Sequence, residues 1–151
     1  MKKIGIIGAV VVLLAVAIAM KTAFETGEKS PIYAAGEVVL DESLVDQAKG
    51  MRTLFFIVYD ADSPRPMPFG AVKETIGADA RPGSFFQFMI TKEKLNMMHP
   101  DLPPPTNIRL KVRLDRDGQG GMDQAGDLTG GIDTVAFGSN GLQVKLDKAI
   151  Q

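Results

Sequence analysis

Met97, Met98 and His99 place two thioethers and an imidazole in direct succession. Such donors suit a soft metal or an axial position on haem iron. His99 is the only histidine in the chain, so a zinc site or a nucleophile–histidine–acid relay lacks its members. Copper and haem sites gather ligands from separate elements, and the plainer reading packs the methionines under the Pro103, Pro104 and Pro105 segment with His99 exposed. Asp115, Asp117 and Gly118 hint at a calcium loop. Its fifth and twelfth positions are Gln119 and Gly126, where an EF-hand needs an acid or Asn and then Glu. A solvated turn is the expectation for these acids. The glycine-rich stretch 120–131 has no Gly-Lys-Ser or Gly-Lys-Thr and no helical flank, so it does not read as a phosphate loop. The chain has no Cys, which excludes disulfides, thiolate zinc, covalent thioether haem and cysteine nucleophiles. No catalytic constellation, metal site or cofactor is expected from these residues.

The elements that would position them are strands. Ile108, Leu110, Val112 and Leu114 alternate with Arg109, Lys111, Arg113 and Asp115, the pattern of a strand with one face on a core and one in water. Leu142, Val144 and Leu146 repeat it. The continuous apolar run 54–59 suits a central strand. Further strands are expected over 36–41, 69–76, 85–90 and 132–137, with a short helix over 42–49 and a hairpin turn at Ser139, Asn140 and Gly141. About seven short strands spaced by turn signals predict an all-β, antiparallel β-sandwich. The expected core is Leu54, Phe56, Val58, Phe86, Phe88, Ile108, Leu110, Val112, Leu114, Leu142, Val144 and Leu146.

The chain has 151 residues and a net charge of −1, which permits one domain plus an extension and argues against a nucleic-acid binder. Lys2 and Lys3 precede an uncharged, mostly apolar run from 4 to 20. It reads as a single transmembrane anchor (residues 1–21) with the following domain exported, or as a signal peptide cleaved near Ala19. Residues 22–35 read as a linker and 36–151 as the sandwich domain.

Pro64, Pro66 and Pro68 fix φ and remove donors, so residues 63–68 predict a stiff extended loop. A pre-stiffened loop beside a sheet edge loses little entropy on binding, and Met adapts to varied partner surfaces. Pro66, Met67, Pro68, Phe69, Met97 and Met98 are therefore candidates for a partner-binding side, with Leu128 nearby. The alternative is a connecting loop that happens to be rich in proline. Around Gly126 and Gly130 the expectation is a bulge or tight turn, with Asp127 holding backbone N–H groups. Leu128 and Met122 are candidate exposed anchors.

Several segments resemble the C-terminal domain of the CcmI/CycH cytochrome c biogenesis family. They are residues 36–44, Leu54, Phe55 and Phe56, then Pro66, Met67 and Pro68 leading to Ala71, Val72 and Lys73. The order continues through Phe88, Met89 and Ile90, then Met97 and Met98, Val112 and Arg113, residues 117–119 and residues 126–130. The resemblance covers residues 36–150 and implies an immunoglobulin-like sandwich. It also implies an inner-membrane anchor, a periplasmic domain, and a chaperone-like role toward apocytochrome c or a haem-ligation component. The family's tetratricopeptide region has no counterpart here, because only residues 21–35 separate the hydrophobic run from the domain. The alternatives are a stand-alone periplasmic soft-metal or ligand carrier, or a structural subunit of an envelope complex.

Overall fold

The structure is a computed structural model that describes residues 31–65 and 67–151. The apolar run expected as an anchor and Pro66 lie outside the described residues. Among those residues no helix is long and apolar enough to cross a membrane.

Nine strands are present among the described residues: β1 (Ile32–Leu40), β2 (Thr53–Asp60), β3 (Pro68–Thr75), β4 (Gly83–Thr91), β5 (Asn96–Met97), β6 (Asn107–Asp115), β7 (Leu128–Ala136), β8 (Ser139–Leu146) and β9 (Lys148–Ala149). They form a three-stranded sheet, β4-β1-β8, and a six-stranded sheet, β5-β3-β2-β6-β7-β9. The all-β, two-sheet expectation holds, with one departure from an antiparallel ladder: β8 runs parallel to β1. The helical segment is a 3-10 turn (Glu42–Leu44) followed by α1 (Val45–Ala48). Asp41 caps that turn by accepting from the Ser43 N–H at 3.0 Å.

The apolar run 54–59 is the hub of the larger sheet, because β2 is flanked by β3 and β6. Its inward residues Leu54, Phe56 and Val58 are completely buried. The Phe56 ring meets Phe86 at 6.1 Å and Phe88 at 5.0 Å, both on β4 of the other sheet. These contacts fix the two sheets face to face. Phe86 and Leu142, expected in the core, are partly buried and pack against it; the other ten expected core residues are buried.

Three boundaries and the environment of one strand face differ from expectation. β1 starts inside the expected linker, since Tyr33 and Ala34 are buried and the Tyr33 ring lies 4.5 Å from Phe137 and 6.0 Å from Phe69. β7 starts at Leu128, inside the glycine-rich stretch, because residues 128–132 pair with 110–114 of β6. Ser139, Asn140 and Gly141 belong to β8, and the turn falls at Phe137 and Gly138. That turn passes the chain from one sheet to the other instead of closing a hairpin within one.

The charged face of β6 is the fourth difference. Arg113 and Asp115 are each only 2% exposed. Residues 116–127 fold back over the outer face of the larger sheet and cover them. Lys73 Nζ donates to the Gly118 carbonyl at 2.8 Å, and Arg113 donates to the Gly121 carbonyl at 2.9 Å. Gly118 and Gly121 have φ of 74° and 114°, a left-handed backbone that lets the loop bend so tightly.

Candidate protein-binding site

The loop between β2 and β3 is held by its own polar residues. Asp60 Oδ1 accepts the Asp62 N–H at 3.0 Å, and Asp62 Oδ2 accepts from Asn107 Nδ2 at 3.1 Å. Ser63 Oγ accepts the Arg65 N–H at 3.3 Å, and the Met67 N–H reaches the Arg65 carbonyl at 2.8 Å. These Asx- and Ser-type turns, with Pro68 following, hold Met67 out from the sheet. Met67 is 54% exposed.

β5 then brings the second predicted segment to the same place. Asn96 and Met97 pair with Ala71 and Gly70, and the Met98 N–H donates to the Phe69 carbonyl at 3.1 Å. Gly70 permits this approach: a Cβ there would sit 2.7 Å from Leu95 Cγ and 2.9 Å from the Asn96 carbonyl oxygen. Met67, Pro68, Phe69, Met97 and Met98 therefore lie at one corner of the larger sheet. Their roles differ. Met98 is 60% exposed, Met97 is half-buried against the core, and Phe69 is buried against Tyr33. Phe69 is thus a floor and Met67 and Met98 are the rim.

Leu128 does not belong to this corner. It is completely buried, and its pairing with Leu114 puts it on the inner face. Its strand, β7, is three places from β3 in the sheet, roughly 14 Å at the usual strand spacing. Its polar neighbours point to an exposed anchor, and the strand register overrides them.

An open cleft of about 260 Å³ lies at this corner, lined by Arg65, Met67, Phe69, His99, Leu102 and Pro103 among others. Two further clefts adjoin it. One of about 420 Å³ shares Asp60, Ser63 and Arg65 and adds Arg109 and Asp133. The other, of about 390 Å³, shares Pro68 and runs past Ile57, Tyr59, Lys111 and Met122. The proline-rich loop stands where the three meet. Arg109 stacks on Tyr59 with its guanidinium 4.3 Å from the ring centroid, as their pairing across β6 and β2 requires. His99, Leu102, Arg65, Arg109 and the cleft-lining position of Met122 were not singled out for this site from sequence. Leu102, an apolar residue just before three prolines, carried the one local signal.

The acids of the glycine-rich stretch have a different task. Arg113 Nε lies 3.0 Å from Asp115 Oδ1, though its N–H is not aimed at that oxygen, and 3.7 Å from Asp127 Oδ2. Its Nη1 donates to Asp123 Oδ1 at 3.1 Å, while Lys111 pairs with the other oxygen of Asp123. Asp127 accepts the N–H groups of Arg116 at 3.0 Å and Gln124 at 2.9 Å, the backbone-holding role expected of it. Burial, and then a hydrogen bond shared with Asp117, push the Asp115 carboxyl above its ordinary value. Burial also opposes ionisation of Asp123, but its bonds to Lys111 and Arg113 outweigh this and hold it below the ordinary carboxylate range. The solvated turn expected at Asp115 is instead a buried ionic knot that pins residues 116–127 to the sheet.

Among the described residues there is no group of three His, Asp or Glu side chains that could hold a metal ion. The corner offers a rigid loop, an adaptable thioether rim, an aromatic floor and nearby cations. Those features suit an extended, partly apolar segment of another chain. Comparisons with family models, curated proteins and solved structures found no match to this chain.

Proposed function

We propose that this chain is a membrane-anchored, non-enzymatic accessory factor of c-type cytochrome assembly. Its immunoglobulin-like sandwich faces the bacterial periplasm and binds an extended segment of apocytochrome c or of a haem-ligation component. The resemblance of residues 36–150 supplies the pathway. One structural observation supports the binding mode: Met67 and Leu102, each more than half exposed, line a cleft with Phe69 and His99 at the end of a stiffened loop, and the exposed Met98 precedes His99 in the chain. The soft-metal alternative finds no such support, since Met97 packs against the core while Met98 is exposed.

The test is capture of haem-free, unfolded cytochrome c by the full-length protein in detergent. Met67→Ala should change folding stability by no more than about 0.5 kcal/mol, because the side chain is exposed. It should weaken capture roughly tenfold, the loss expected from one good anchor. Lys49→Ala, which does not line the cleft, should leave capture unchanged. Equal capture by all three proteins would sink the assignment of this corner as the site.

A further inference from the structure

The chain has no cysteine, so the thioethers of its eight methionines are its only sulfur. No thiol meets an oxidant first, and the methionines are the groups that a peroxide can reach. The fold divides them. Met51 is buried and Met97 packs half-buried against the core, so a sulfoxide at either would set a polar group among apolar neighbours. Met67, Met89, Met98 and Met122 are each at least half exposed. Of these, only Met67 lines the cleft with Phe69, Leu102 and Pro103. Its loop is secured without its side chain. Asp60 accepts the Asp62 N–H, Ser63 Oγ accepts the Arg65 N–H, and the Met67 N–H donates to the Arg65 carbonyl. The Met67 thioether takes part in none of these bonds, so a chemical change at its sulfur leaves the supports of the loop in place.

We propose that Met67 is a reversible oxidation switch of this corner, with a peroxide as the oxidant. The inference rests on the capture role proposed above and adds its regulation. The Met67 sulfur attacks one oxygen of hydrogen peroxide, and the O–O bond breaks as the S–O bond forms. Sulfur gives up two electrons to the peroxide; the departing hydroxide takes the proton of the transferred oxygen and leaves as water. The product is a sulfoxide, polar where the thioether was apolar. Its oxygen holds water that an apolar side chain seated in the cleft would have to displace, so docking weakens while the fold stands. A methionine sulfoxide reductase reverses the step: the oxygen leaves as water and a dithiol is oxidised to a disulfide. The chain has no disulfide of its own that the dithiol could break.

The test treats the full-length chain in detergent with a small excess of hydrogen peroxide. Peptide mapping by mass should show a sulfoxide at Met67 while Met51 is still a thioether, with an unchanged circular dichroism spectrum. Capture of haem-free, unfolded cytochrome c should fall roughly tenfold, as it does on truncation of Met67. The two methionine sulfoxide reductases, one for each epimer, should restore it in the presence of dithiothreitol. Met67→Leu removes the oxidisable sulfur, and whatever its own level of capture, peroxide should not lower it. Met89→Leu, on β4 of the smaller sheet, should lose as much to peroxide as the parent. Met67 still a thioether after Met51 has reacted, a lost circular dichroism spectrum, or an equal loss of capture by Met67→Leu would each overturn the proposal. If the untreated chain captures no cytochrome, the assembly role fails by itself. The switch is then decided by the apolar dye anilinonaphthalenesulfonate, whose fluorescence should drop on peroxide treatment of the parent and not of Met67→Leu. A dye signal in the parent that peroxide leaves unchanged would overturn it.

Discussion

Arg113→Met should lower folding stability by about 3–5 kcal/mol, the usual cost of removing one partner from a buried ion pair. Methionine can occupy the space of the Arg113 stem over Phe55, whose ring centroid lies 5.0 Å from the guanidinium carbon. It cannot answer Asp115 and Asp127, which are 2% and 1% exposed. Against a total stability of about 5–15 kcal/mol for a typical domain, such a loss is a large fraction. The pH dependence identifies the cause. In the parent protein Asp123 contributes stability above its unfolded pKa of about 4, and this is lost as pH falls through its lowered folded value. Asp115 works the other way: its raised value favours the fold at acid pH, and the contribution fades as pH rises through that value. Removing Arg113 takes support from the ionised form of both. The deficit of the variant should therefore be largest near neutrality and shrink toward pH 4, read from urea melts across that range. A loss under about 1 kcal/mol, flat with pH, would mean that the knot holds the loop without contributing to stability.

That burial was hidden from sequence for a physical reason. Alternation along β6 reports which residues share a face, and it assigned Ile108, Leu110, Val112 and Leu114 to the core correctly. It cannot report that a loop later returns to cover the opposite face. The same limit applies to Leu128: its neighbours Asp127, Thr129 and Gly130 look like a loop, and only pairing with Leu114 reveals a strand. β2 was legible because six consecutive apolar residues leave little alternative to a central strand. The candidate corner was half legible. Proline placed Met67 in a stiff loop, and the short interval before the triproline segment marked Met97 and Met98. The bond from the Met98 N–H to the Phe69 carbonyl, which joins the two, is a matter of register that composition does not carry. The outer face of the smaller sheet was likewise unread. There Glu37 accepts from Ser84 at 2.6 Å and from Gln143 at 2.8 Å, tying β4, β1 and β8 together across their strands.

Gly130→Ala should be at least as damaging as a core truncation, although it adds a single methyl group. Gly130 sits opposite Val112 on β7, where a Cβ would collide with the carbonyl group of Lys145 on β8. The obstacle is backbone, so no rotamer change relieves it. β8 cannot retreat either. It is held on β1 through the pairs Val38 with Val144 and Leu40 with Leu146, and a Cβ at Gly36 on β1 would meet the Leu142 backbone in the same way. The two glycines thus let β8 lie close to both β1 and β7, and its completely buried Val144 and Leu146 help close the core. Overpacking usually costs about 1–3 kcal/mol, and a backbone collision between two fixed strands belongs at or above the top of that range. Gly77→Ala provides the contrast: nothing lies within 4 Å of its added Cβ, and its φ is not positive. That variant should be neutral or gain up to about 1 kcal/mol by restricting the unfolded chain. Chemical denaturation of the two variants side by side checks the contrast. Equal stabilities would show that β8 shifts freely and that the close crossing at Gly130 is not a constraint of the fold.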